Sequence, residues 1–320
     1  MPRSDLLLNL AKAGSQGDQV GVRRTLEAIV ADERGRQHHV VADRLSELLS
    51  GSESEGTARG PIESSSSPLL EIVPRKSFQD LVLPPDVRQA SSELVEEQHR
   101  SDLLRSHGIE PRNRILLVGE PGNGKTSLAE ALAGELSVPL LVVRYEAIVG
   151  SYLGETAVRL ARLFDRVRAR RCVLFFDEFD AIGKERGDKH ETGEIKRVVS
   201  SLLLNVDALP YYVVTVAATN HPELLDRAIW RRFQLRLELP KPTAREIKEW
   251  LIRFEAALGT NLGLQAKGVA DRLKGLSYAE LDELCTDMQR RIVLAGPAPD
   301  LKKVVSSRLA QWRARAAVHG

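Results

Sequence analysis

Residues 115–126 read Ile115-Leu116-Leu117-Val118-Gly119-Glu120-Pro121-Gly122-Asn123-Gly124-Lys125-Thr126. Four apolar residues running straight into a glycine-rich turn predict a buried strand, and the following Ser127-Leu128-Ala129-Glu130-Ala131-Leu132 predicts a helix. Strand, GxxxxGK[ST] and helix in that order make a phosphate-binding loop. The glycines let backbone N–H groups curl around phosphate oxygens, and the helix N-terminus adds partial positive charge. Lys125 reaches the β and γ phosphates, and the Thr126 hydroxyl is suited to ligate Mg²⁺. The run Gly119, Glu120, Pro121, Gly122, Asn123, Gly124, Lys125, Thr126 and Ser127 is therefore the candidate nucleotide site. The alternative, a glycine-rich turn that binds nothing, is set aside by the flanking strand and helix.

Further strand-like runs follow at Leu140–Val143, Val173–Phe176, Val213–Ala217 and Leu235–Leu239, alternating with helical stretches. That alternation predicts an α/β fold with a parallel sheet flanked by helices. After Pro240 and Pro242 the strands stop, and the remainder, from Thr243, reads as a small helical bundle. Ligands in such sheets sit at the C-terminal ends of the strands. The run Val173-Leu174-Phe175-Phe176 delivers Asp177-Glu178-Phe179-Asp180 to that edge. Asp177 suits Mg²⁺, and Glu178 suits orienting and deprotonating an attacking water; a solvated acidic turn is the bland alternative. The next strand ends in Thr219-Asn220, whose amide can hold the water or the γ-phosphate opposite Glu178. Arg231 and Arg232 have two open readings. They fit a solvated basic face, or a guanidinium fork inserted into a neighbouring subunit's site.

The chain has 320 residues, 42% hydrophobic and 28% charged, with a formal net charge of +2. A sizeable core is possible, and a surface built wholly to coat nucleic acid is excluded. Two cysteines, Cys172 and Cys285, give neither a disulfide framework nor a zinc signature and read as small core residues. No window approaches the ~18 apolar residues of a membrane span, and the N-terminus lacks a signal-peptide layout. The expected compartment is the cytoplasm. Apolar residues at helical spacing from Leu6 to Leu48 predict an N-terminal helical domain over 1–49. The serine-rich stretch after it predicts a flexible linker over 50–77. The large domain is expected over 78–242, and the helical domain over 243–320.

Residues from about Phe78 to Leu294 resemble an ATPase module of the AAA family, the branch that includes katanin, spastin and other protein remodellers. The resemblance is carried by ILLVGEPGNGKTSLAEALA, VLFFDEFDAI, VAATNHPELLDRAIWRRFQLRLELPKP and GLSYAELDEL. It implies a P-loop NTPase fold with a helical lid, ATP as substrate and Mg²⁺ as its companion. Gly119 to Thr126 are implied as Walker A, Asp177 and Glu178 as Walker B, Asn220 as sensor 1, and Arg231 and Arg232 as arginine fingers acting in trans. A homo-oligomeric ring, usually a hexamer, is implied because each site is completed by its neighbour. Two departures stand out. Tyr278 follows Ser277 where the family usually has Gly, and the lead-in segment Phe78 to Pro84 lacks the family's glycines, leaving Asp80 and Leu81 as its adenine-side candidates.

Gly150-Ser151-Tyr152-Leu153-Gly154 resembles the first pore loop of the protein-threading members, an aromatic followed by an aliphatic and a glycine. Tyr152 and Leu153 are thus candidates for gripping an extended polypeptide, an aromatic giving large contact area at little rotamer cost; ordinary core packing is the alternative. Gly183 to Gly193 could form a lower pore tier or a plain solvated loop. The functional expectation is ATP hydrolysis coupled to remodelling, threading or unfolding of a protein by a ring. The alternatives are a nucleic-acid-associated assembly factor, disfavoured by the absence of a helix-turn-helix or zinc module, and an ATP-gated regulator of a partner protease, as in anti-phage systems.

Overall fold

The computed structural model describes residues 25, 28–30, 67–148, 153–180, 192–264, 268–295 and 300–319. Two units are distinguished, residues 1–66 and residues 67–320. Of the first, Thr25 and Ala28 to Val30 are helical, with Ile29 and Val30 buried. The rest of the domain expected over 1–49, and the linker to residue 66, lie outside the described residues.

The second unit begins with strand β1 (Leu69–Ile72) and a 3₁₀ turn (Phe78–Asp80), followed by helices α1 (Pro85–His99) and α2 (Ser101–Ser106). Next come β2 (Arg114–Val118), α3 (Lys125–Glu135), β3 (Leu140–Val143), α4 (Tyr145–Ile148), α5 (Leu153–Arg168) and β4 (Cys172–Phe176). Then follow α6 (Thr192–Asp207), β5 (Val213–Thr219), a 3₁₀ turn (Pro222–Leu224), α7 (Arg227–Arg232) and β6 (Leu235–Glu238). The chain ends in α8 (Ala244–Leu258), α9 (Val269–Arg272), α10 (Tyr278–Leu294) and α11 (Leu301–His319). The sheet order is β1-β3-β4-β5-β2-β6, parallel throughout except for the antiparallel β1–β3 edge.

β1 departs from expectation, because the linker read over 50–77 does not extend that far. Leu69 pairs with Val143 and Ile72 with Leu140, and Arg170 holds Glu71 with two guanidinium hydrogen bonds of 3.0 and 2.7 Å. The strand was illegible because it is short and only half covered, adjoining a serine-rich run.

The central strands are buried on both faces, as their unbroken apolar runs require. Side chains alternate strictly. Leu116, Leu174, Phe176 and Ala217 face a core made with α5, α6 and α7, while Ile115, Leu117, Val173, Phe175 and Val216 face another made with α1 and α3. Each fully buried phenylalanine in these layers contributes about 1.5–3 kcal/mol relative to exposure. Helices α8 to α11 enclose a third core around Leu251, Leu281, Leu284, Cys285 and Met288. Capping boxes start α8 at Thr243 with Glu246, and α10 at Ser277 with Glu280. No helix among the described residues is long and apolar enough to cross a membrane.

Candidate functional site

Strands β4, β5 and β2 are neighbours, so the turns leaving their C-terminal ends meet. Backbone bonds tie the turns together: the Gly119 N–H donates to Thr219 O (3.3 Å), the Phe179 N–H to Ala218 O (2.8 Å) and the Leu239 N–H to Val118 O (2.8 Å). Gly119 is obligatory in this arrangement, since a Cβ there would stand 2.3 Å from Leu239 O. Asn123 braces the base of the loop, its side-chain Nδ2 donating to Leu239 O at 3.3 Å.

The loop lines a cavity of about 670 Å³ that also receives Thr126, Ser127, Asp177, Glu178 and Asn220. Five sequence-predicted side chains converge closely. Lys125 Nζ donates to Gly119 O (2.6 Å), Glu120 O (3.0 Å) and Asn220 Oδ1 (2.5 Å). Burial pulls the Lys125 ammonium below the ordinary lysine range, opposed by the charges of Asp177 and Asp180. The Thr126 hydroxyl donates to Asp177 Oδ2 at 3.3 Å. Glu178 is exposed to the cavity and adopts φ 46, a left-handed conformation costing a non-glycine residue about 1–3 kcal/mol. Its N–H donates to Asp177 Oδ1 at 3.0 Å, and Phe179 beyond it packs edge-on between Phe176 and Phe233. The strained turn is thus fixed on both sides.

Glu120 forms a 2.8 Å ion pair with Lys241, between β6 and the helical domain. Neither Arg231 nor Arg232 lines this cavity, and the two differ in their surroundings. Arg232 Nε donates to Asp207 Oδ2 at 2.7 Å, whereas Arg231 is exposed and has no hydrogen bond or ion pair among the described residues. Tyr152 lies outside the described residues, as do residues 181–191 of the second loop; Leu153 begins α5, with its side chain undescribed.

The same cavity is also lined by Asp80, Leu81, Trp250 and Tyr278. The adenine-side candidates Asp80 and Leu81 therefore belong to this cavity. Tyr278 lines it too, its buried hydroxyl lacking a hydrogen-bond partner among the described residues. Burial pushes that phenol well above its usual range, with Glu246 and Glu249 adding to the effect. Trp250 stacks on Phe254 at 5.9 Å; nothing in the sequence marks it, since an aromatic of the helical domain reads as core until that domain is docked.

The sequence reading gives Asp180 no role, although its spacing two residues after Glu178 is a usable signal. It is buried and accepts the Thr219 hydroxyl at 2.9 Å, while Thr219 Oγ1 accepts the His221 N–H at 3.0 Å. This chain brackets Asn220 on both sides. The hydroxyl of Thr126 beside the carboxylate of Asp177 offers the hard oxygen donors that Mg²⁺ prefers together with phosphate oxygens and water. No group of three or more His, Cys, Asp or Glu residues suited to hold a metal alone occurs among the described residues.

The profile of the ATPase family associated with various cellular activities (AAA) matches residues 115–241. An uncharacterized AAA family ATPase of Sinorhizobium fredii, y4kL, is 34% identical over 303 residues, covering 92% of this chain and 90% of that protein. A putative 26S proteasome regulatory subunit homolog of Methanothermobacter marburgensis is 33% identical over 196 residues, 60% of this chain and 52% of its own length. The chloroplastic ATP-dependent zinc metalloprotease FTSH 6 of Oryza sativa is 34% identical over 228 residues, 69% of this chain and 33% of its own length. The chain thus spans about half and one third of these two relatives. With a near full-length relative among the AAA ATPases and the family profile running across the phosphate loop and the acidic turn, this chain belongs to the AAA family and is an ATPase.

Proposed function

We propose that the chain hydrolyses ATP within a cytoplasmic homo-oligomeric ring, a hexamer, and uses the energy to remodel or thread a protein, in the manner of the katanin and spastin branch. The observation that carries the site reading is the convergence of Lys125, Thr126, Asp177, Glu178 and Asn220 on one cavity.

In this reading Lys125 exchanges its carbonyl and Asn220 acceptors for β- and γ-phosphate oxygens. Thr126 and Asp177 would hold Mg²⁺, which would supply charge neutralisation to the phosphates. Glu178 orients the attacking water and takes its proton as the water oxygen bonds to phosphorus; the bond to the ADP oxygen breaks, giving ADP and inorganic phosphate. Asn220 relinquishes Lys125 and turns to the γ-phosphate or the water. The absence of Arg231 from the lining of its own cavity, and of any side-chain partner for it among the described residues, supports a role in trans, on a neighbour's γ-phosphate. Gly119, Glu120, Pro121, Gly122, Asn123, Gly124 and Ser127 complete the phosphate cradle in this proposal.

The protein-substrate reading is supported by the Tyr152-Leu153 motif and by relatives named for a proteasome regulatory subunit and a metalloprotease. The latter name also supports a variant in which a protease partner is supplied by another polypeptide. Residues 1–49 would recruit substrate or adaptor through the 50–66 stretch, with 243–320 serving as the lid. The test is ATPase stimulation by unfolded protein and by nucleic acid, with wild type and Tyr152→Ala, at low and moderate salt. Loss of protein stimulation with basal turnover intact is expected. Stimulation by nucleic acid alone, unaffected by Tyr152→Ala and quenched by salt as counterion release predicts, overturns the reading.

A further inference from the structure

Residues 74–78, between β1 and the first 3₁₀ turn, lie as a strap across the phosphate-binding helix α3. The Arg75 N–H donates to Glu130 Oε1 at 3.2 Å and the Phe78 N–H to Glu135 Oε1 at 2.8 Å. The helix is bared beneath the strap, because a Cβ on Gly134 would come within 2.3 Å of Lys76 O. So anchored, Lys76 reaches the nucleotide cavity. Its Nζ donates to Ser127 Oγ at 3.0 Å and pairs with Glu130 Oε2 at 3.2 Å.

We propose that Lys76 is a second phosphate-binding cation of the site, acting on the α-phosphate while Lys125 acts on the β and γ phosphates; this rests on the nucleotide-site reading above. Three observations converge on it. Lys76 is bound to Ser127, one residue beyond the Thr126 that faces Asp177, so it stands off the γ end. It belongs to the same short segment as Asp80 and Leu81, which line the same cavity. An ammonium carries three donors; Ser127 and Glu130 engage two, and the third is available to a phosphate oxygen. Its side chain is 42% exposed, so the flexible stem can follow the ligand.

A purely mechanical role is the competing account, in which Lys76 only clips the strap to Glu130. The two differ in sign at Glu130. Glutamine there keeps the acceptor for the Arg75 N–H but removes the carboxylate that competes for the lysine.

The experiment is calorimetric titration of the full chain with ATP and with ADP, each in Mg²⁺, for wild type, Lys76→Met, Lys76→Arg and Glu130→Gln. Lys76→Met is expected to weaken ATP and ADP equally, by about tenfold, the low end for a charge-assisted contact at a part-exposed site. Lys76→Arg is expected to retain most of the affinity, and Glu130→Gln to match or exceed wild type. A Lys76→Met affinity within about twofold of wild type, a loss confined to ATP, or a Glu130→Gln loss equal to that of Lys76→Met each overturns the proposal while leaving the site reading intact. Failure of the wild type itself to bind ATP overturns the site reading and this one with it.

Discussion

The backbone N–H of Ala279, in the first turn of α10, donates to the carbonyl oxygen of Gly122 in the phosphate loop at 3.0 Å. The helical domain is thereby joined to the loop itself rather than only to the rim of the cavity. A second tie reaches the segment before α1, where Arg253 on α8 donates to Gln79 O at 2.5 Å and Leu81 O at 3.2 Å. Any rotation of the helical domain must break these ties or carry both the loop and that segment with it.

Gly122 has φ 78, and a Cβ there would meet Ser277 Oγ at 2.9 Å and the Ala279 Cβ at 3.0 Å. Gly122→Ala is therefore expected to destabilise the fold by more than about 1 kcal/mol, because alanine at positive φ is strained before any clash is counted. Nucleotide affinity should fall with it. Thermal unfolding and ATP titration of the same variant measure the two effects, and an unchanged melting temperature would mean that the contact yields freely.

Lys125→Ala is expected to abolish nucleotide binding, and Glu178→Gln to preserve binding while abolishing turnover. Lys125 compensates phosphate charge in the ground state, whereas Glu178 acts on the water. Calorimetry paired with phosphate release separates the two. Tight ATP binding by the Lys125 variant would remove the loop assignment.

The neighbouring arginines should part company. Arg232 shares Asp207 with Arg114, at 2.7 and 2.8 Å, so Arg232→Ala should cost about 1 kcal/mol or less in stability, as part-exposed ion pairs do. Arg231→Ala should leave the melting temperature unchanged, yet lower turnover and depress the activity of mixed assemblies. If dilution to monomers left wild-type turnover undiminished, the trans role of Arg231 would be lost.

Much of this was legible in the sequence. All five strands read from apolar runs are present, with ends differing by two residues at most; the four inner ones advertise themselves as nearly unbroken hydrophobic stretches, whereas the edge strand β6 alternates apolar and charged residues. The phosphate loop, Asp177, Glu178 and Asn220 were legible because each sits immediately after such a strand. Three other features were not. β1 pairs across about seventy residues of chain, and nothing local encodes that pairing. Lys76 and Trp250 join the cavity only through docking of the strap and of the helical domain, contacts made far away in sequence. Tyr278 was visible as a departure, but its lining of the cavity depends on the same docking.

The position of β1 changes what limited proteolysis should yield. With the serine-rich stretch as the cleavage target, the resistant fragment is expected to begin near Ser67, since Leu69 to Ile72 are paired into the sheet. Mass spectrometry of the fragment reads the boundary directly. A resistant core beginning at Phe78 would mean that the edge strand contributes little, and such a core would also lack Lys76.

Gly134 inverts the usual rule for tolerance to substitution. Alanine is the best helix former and is favoured over glycine inside a helix by about 1 kcal/mol, so on α3 considered alone Gly134→Ala should be a stabilising change. With Lys76 O 2.3 Å from where the new methyl group would sit, the helix gains while the strap above it must lift. A selection for heat resistance and a selection for nucleotide use would therefore both hold this residue as glycine, because the overlap is with strap backbone that is itself bonded to Glu130 and Glu135.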